Sequence, residues 1–99
     1  MKPSVATEMR EFLSDDKIVE LAQKFTEDSS QRMAKIAEAV ETDDAKTAAA
    51  EAHSVKGSAL TLGFIECAEW ARQIEQSPQD RDLCLDCISR LQSALTDIA

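Results

Sequence analysis

Apolar residues recur along this chain at steps of three and four, the spacing of one face of an α-helix. Ala45, Ala48, Ala52, Val55, Ala59 and Leu62 stack on such a face. Upstream, Ile18, Leu21, Phe25, Met33, Ile36 and Val40 make a longer stripe, with a polar stretch from Glu27 to Arg32 in its middle. Downstream, Phe64, Cys67, Ala68, Ala71 and Ile74 form a third stripe, and Cys84, Ile88, Leu91, Leu95 and Ile98 a fourth. Val5, Met9, Phe12 and Leu13 give a small face at the N-terminal end, suited to a lid on one end of a bundle.

The residues between the stripes are helix punctuation. Ser14-Asp15-Asp16 offers N-cap chemistry for the first long helix. Thr42-Asp43-Asp44 interrupts the pattern and caps the next, with acids near its positive end. Gly63 is placed to end that helix in a left-handed conformation. Ser77-Pro78 stops the third helix; Pro78 at a first helical position, with Asp80 three residues after Ser77, starts the fourth. Helices are therefore expected over 15–41, 43–62, 64–76 and 78–98, with a short one over 4–13. Short loops set consecutive helices antiparallel. The expected fold is all-α: an antiparallel up-down four-helix bundle with an additional N-terminal helix, in which residues 1–99 form a single domain without repeat or linker.

Composition agrees with that class. Two glycines and two prolines leave little material for turns, and 43% apolar residues can bury a modest core without disulfides or metal. Three cysteines, an odd number with no secretory context, suit reduced thiols. Cys84-Leu85-Asp86-Cys87 has the C-x-x-C spacing but no second ligand pair, so its cysteines read as small buried hydrophobes. Met9, Met33 and Trp70 read as core or core-edge residues. A formal charge of −8 disfavours nucleic acid and anionic membrane surfaces as partners. No apolar run reaches membrane-spanning length and no signal-peptide core is present, so a cytoplasmic location is expected. There is no Gly-rich phosphate loop, and a chain without a nucleotide site is not a complete kinase.

Beside the stripe of the second long helix runs another strip: Lys46, Ala49, Ala50, His53, Lys56, Gly57 and Leu60. It carries the only histidine of the chain and one of its two glycines. A glycine inside a helix costs roughly 1 kcal/mol relative to alanine, which this helix uses freely. One compensation is that a missing side chain lets another backbone or a ligand come close.

The segment Ala52-His53-Ser54-Val55-Lys56-Gly57-Ser58, closed by Leu62-Gly63, resembles the signature of histidine-containing phosphotransfer (HPt) domains. The resemblance implies a four-helix bundle that acts as a histidine phosphocarrier in a multistep two-component phosphorelay. His53 would accept a phosphoryl group from a receiver-domain aspartyl phosphate and pass it to another receiver. It implies that Lys56 contacts the phosphoryl oxygens and that Ala49, Ala50, Gly57 and Leu60 form the docking strip. A Gln or Glu on the next helix is implied to bond the inner ring nitrogen. A hairpin folded about Gly63 sets Gln73 level with His53, while counting from the motif gives Glu75 as the orienting residue. The chain would bind no cofactor and no metal, and would not be an enzyme; Mg²⁺ is expected on the receiver. The implied partners are response-regulator receiver domains and/or a hybrid sensor kinase, with no nucleic acid and no membrane, and the chain is expected to be a monomer.

Two other readings fit some of these residues. One is a helical adaptor whose lone His53 is incidental. The other is the phosphoacceptor fragment of a sensor kinase, which normally has an acid directly after the histidine, where this chain has Ser54.

Overall fold

The computed structural model describes residues 14–98. The short helix expected over 4–13, with its face of Val5, Met9, Phe12 and Leu13, lies outside them. Four helices occupy the described residues: α1 (Asp15–Glu41), α2 (Ala45–Leu62), α3 (Ile65–Gln76) and α4 (Arg81–Ile98). The 27 residues of α1, at 1.5 Å rise each, make a rod of about 40 Å. That rod sets the 42 Å length of the molecule.

The ends follow local capping chemistry. Ser14 accepts the Lys17 N–H at 3.2 Å and starts α1. Asp44 caps α2, accepting the Thr47 N–H at 3.1 Å and the Thr47 hydroxyl at 2.6 Å. That helix begins at Ala45, not at 43, because Asp43 sits at φ 57, outside helical space. Gly63 closes α2 at φ 82, with its N–H on the Leu60 carbonyl and the Phe64 N–H on that of Ala59.

Phe64 precedes α3 instead of opening it. Its buried ring packs on Phe25 of α1, centroids 5.1 Å apart. The fourth helix is corrected by three residues. Ser77-Pro78-Gln79 forms a turn closed by Asp80 N–H on the Ser77 carbonyl, and Asp80 Oδ1 accepts the Leu83 N–H at 3.1 Å. Capping falls to an aspartate, among the strongest N-cap residues, and Pro78 stays outside the helix.

Each helix packs on the next, and α4 also packs on α1. The buried face of α1 reads Ile18, Ala22, Phe25, Ser29, Met33, Ile36, Ala39 and Val40. The polar stretch from Glu27 to Arg32 is thus no gap, because Ser29 carries the stripe through it, while Leu21 is only half-buried. The Ser29 hydroxyl is buried without a hydrogen-bond partner among the described residues. Ala48, Ala52 and Ala59 of α2 and Ala71 of α3 are fully buried, so both helices bring small side chains to the core. Cys67, Cys84 and Cys87 are buried free thiols; burial pushes Cys67 up to about 11.

Candidate functional site

The stripe of Ala48, Ala52, Val55, Ala59 and Leu62 turns inward and fixes the rotation of α2. That rotation carries His53 to the outside, where its side chain is 66% exposed. His53 Nδ1 lies 2.6 Å from Glu75 Oε2 on α3, and Lys56 Nζ lies 2.6 Å from Glu75 Oε1. One carboxylate thus bridges two residues of α2 a turn apart, one oxygen to each.

The Lys56 ammonium, with a smaller contribution from His53, holds the Glu75 carboxyl below its ordinary range. An ionised carboxylate only accepts hydrogen bonds, so Nδ1 carries the ring proton and donates it to Glu75. In the neutral ring the other nitrogen, Nε2, is then the one with the lone pair, on the far side of the ring. Glu75 and Lys56 are each 25% exposed, so the ion pair is partly shielded from solvent while the ring itself stays open to it.

Of the two α3 positions that the sequence offered, Gln73 by the hairpin and Glu75 by the motif, Glu75 is the one within hydrogen-bond distance of His53. A step of two residues rotates a helical side chain by about 200°. Gln73 therefore points elsewhere, its Nε2 on Glu69 Oε1 at 3.3 Å and its Oε1 meeting the Cys87 thiol at 3.7 Å.

Gly57 is exposed and helical, and a Cβ built on it has no neighbour within 4 Å. Among the described residues nothing needs the glycine. Ala50 and Leu60 are also exposed, Leu60 at 53%, and Ala49 is half-buried. From Ala52 to Ile65 the chain has no acidic residue, although it contains nineteen overall.

Two features of this surface escaped the pattern of the sequence. One is the Lys56–Glu75 ion pair, which joins residues on different helices. The other is Arg32 of α1, which lines an open groove with His53, Ser54, Gly57, Ser58 and Thr61. Its bond to Asp28 at 2.9 Å was readable as an i, i+4 pair; its bond to Glu51 across to α2, also 2.9 Å, was not. Among the described residues no group of His, Cys, Asp and Glu is gathered to hold a metal ion, and no helix is long and apolar enough to cross a membrane.

No curated protein and no solved structure matches this chain. A family model does, that of the Hpt domain, over residues 20–99. Domains of this family are helical bundles that carry phosphoryl groups on histidine in phosphorelays; they interact with receiver domains and are not catalysts in themselves. The match takes in α2 whole, with its outward histidine, and the helix that supplies Glu75, and it spans most of the sequence: the chain belongs to the Hpt domain family.

Proposed function

We propose that this protein is a phosphocarrier between receiver domains, with His53 as its phosphoacceptor. The observation that carries the reading is the exposed imidazole whose Nδ1 is tied to Glu75, which leaves Nε2 as the outward nucleophile. The Nε2 lone pair attacks the phosphorus of a receiver aspartyl phosphate. An N–P bond forms as the acyl O–P bond breaks, and the aspartate leaves as carboxylate. The ring keeps its Nδ1 proton and becomes a phosphoimidazolium, whose positive charge the Glu75 carboxylate stabilises. Attack on phosphorus by the carboxylate of a second receiver runs the step in reverse. Glu75 is thus a positioning residue.

Lys56, on the same strip, exchanges Glu75 for the phosphoryl oxygens once they arrive. Ala49, Ala50, Gly57 and Leu60 are the surface on which the receiver packs. Mg²⁺, brought by the receiver, supplies charge neutralisation at the transferring group.

Further parts of the reading are an antiparallel up-down course of the helices, a monomeric state and a cytoplasmic location. The up-down course draws support from Arg81 at the start of α4, which reaches Glu41 at the end of α1 at 2.9 Å. The monomer accords with a bundle whose four helices cover each other's apolar faces.

The test is transfer of labelled phosphate from phosphorylated receivers to the wild-type chain and to His53→Gln. The wild type is expected to take up acid-labile, base-stable label and the variant none. The exposed position predicts that the variant keeps its stability within about 0.5 kcal/mol. Label on the variant, or none on the wild type from any receiver of the host, would refute the proposal. A helical adaptor with an incidental histidine predicts the second outcome. Sedimentation separates the monomer from the dimer that a kinase fragment requires.

A further inference from the structure

Arg32 stands on α1, on the opposite wall of the groove from His53, Ser54, Gly57, Ser58 and Thr61. Its guanidinium is held from two helices: Nε donates to Asp28 Oδ2 and Nη1 to Glu51 Oε2, both at 2.9 Å. The side chain is still 32% exposed. A guanidinium has five N–H donors. These two bonds leave Nη2 with no partner among the described residues, on a side chain that lines the groove. A long side chain already pinned loses little further rotamer freedom when a partner binds.

Charge decides what those donors suit. Arg32 lies between two carboxylates, so the trio is net negative by one, and an incoming carboxylate or phosphoryl group meets that excess. A neutral acceptor meets only the directed N–H. The groove's other wall carries no acid, since the chain has none from Ala52 to Ile65, so it does not repel the negatively charged phosphorylated face of a receiver. The groove is also continuous with Gly57, where open space lets a foreign backbone approach.

We infer that Arg32 is a docking residue, donating from Nη2 to a neutral acceptor, a backbone carbonyl or carboxamide, on the receiver that meets His53. This rests on the phosphocarrier reading. The residue acts on complex formation and not on the reacting atoms.

The test compares wild type, Arg32→Ala, Arg32→Lys and Arg32→Gln as full chains, each first checked by thermal melting. Phosphate is offered in two ways. One donor is phosphoramidate, a small molecule that needs no docking. The other is whichever phosphorylated receiver loads the wild type fastest. With phosphoramidate all folded variants should load at the wild-type rate. With subsaturating receiver, the loss of a directed hydrogen bond should slow each by up to about tenfold. Saturating receiver should restore the rate, so the effect lies in KM and not in kcat. Because the acceptor is neutral, the penalty should persist at high salt, and lysine, which keeps the charge but lacks the fork, should not rescue.

Wild-type transfer from the receiver by any two folded variants would overturn the inference. So would full rescue by lysine, a penalty that disappears at high salt, or an equal loss with phosphoramidate. These results leave the phosphocarrier reading standing. A wild type that loads from phosphoramidate but from no receiver overturns both.

Discussion

Gly57→Ala should make the isolated protein more stable and a worse phosphate acceptor from receivers. Among the described residues the added methyl meets nothing within 4 Å, and the helical backbone needs no glycine there, since Gly63 is the one glycine at positive φ. The change therefore registers mainly as helix propensity, worth about 1 kcal/mol in favour of alanine. For a domain of this size that corresponds to a rise in Tm of about 4–8 °C, measurable by circular dichroism. Gly57→Gln should also fold at least as stably as wild type, because its side chain extends into solvent. Both variants should accept phosphate from a receiver more slowly, in order of size. On the proposed function, each added atom occupies space where a docking receiver would pack for its aspartate to reach His53 Nε2. Displacing reacting atoms by about 1 Å can cost on the order of a hundredfold in rate. Loading by phosphoramidate, which needs no docked protein, should be unchanged in both. A glutamine variant that loads from receivers as fast as wild type would refute the docking role of Gly57. A Tm that falls on Gly57→Ala would refute the account of its open surroundings.

Three further outcomes follow from the site and the core. Lys56→Ala should bind unphosphorylated receiver nearly as wild type but transfer more slowly. By NMR its Glu75 carboxyl should titrate higher than in wild type, because Lys56 is the largest cause of the lowered value; an unmoved titration would remove the ion pair from the account. Glu75→Gln should be less stable than wild type at neutral pH, with the two converging in acid. A carboxyl lowered on folding adds stability that is complete above its ordinary value of 4.5 and is lost as pH falls through the folded value. Acid-unfolding curves separated by the same gap at every pH would contradict this. Ser29→Ala should raise the denaturant midpoint, because it removes a buried, unpartnered hydroxyl whose desolvation costs about 1–3 kcal/mol; a lowered midpoint would mean that the hydroxyl has a partner.

Helical periodicity by itself determined most of the architecture and the outward turn of His53. Burying Ala48, Ala52, Val55, Ala59 and Leu62 leaves only one rotation for α2, and that rotation exposes the histidine. The caps at Ser14 and Gly63 were legible for the same reason, since capping is decided within a few residues. Where two local signals competed, as at Asp43–Asp44 and Ser77–Asp80, the pattern set the helix start too early. The choice of N-cap was made by backbone conformation that the residue types permit but do not dictate. Ser29 read as part of a polar gap because a hydroxyl is ordinarily outside, and its burial follows from the packing of its neighbours on both sides. Residues apart in sequence were another matter. The motif pointed to Glu75, but neither its link to Lys56 nor the reach of Arg32 to Glu51 is encoded in any spacing. Each depends on the offset and rotation at which two helices pack. The interlocking of side chains along their whole shared length sets that offset, so only the tertiary structure decided it.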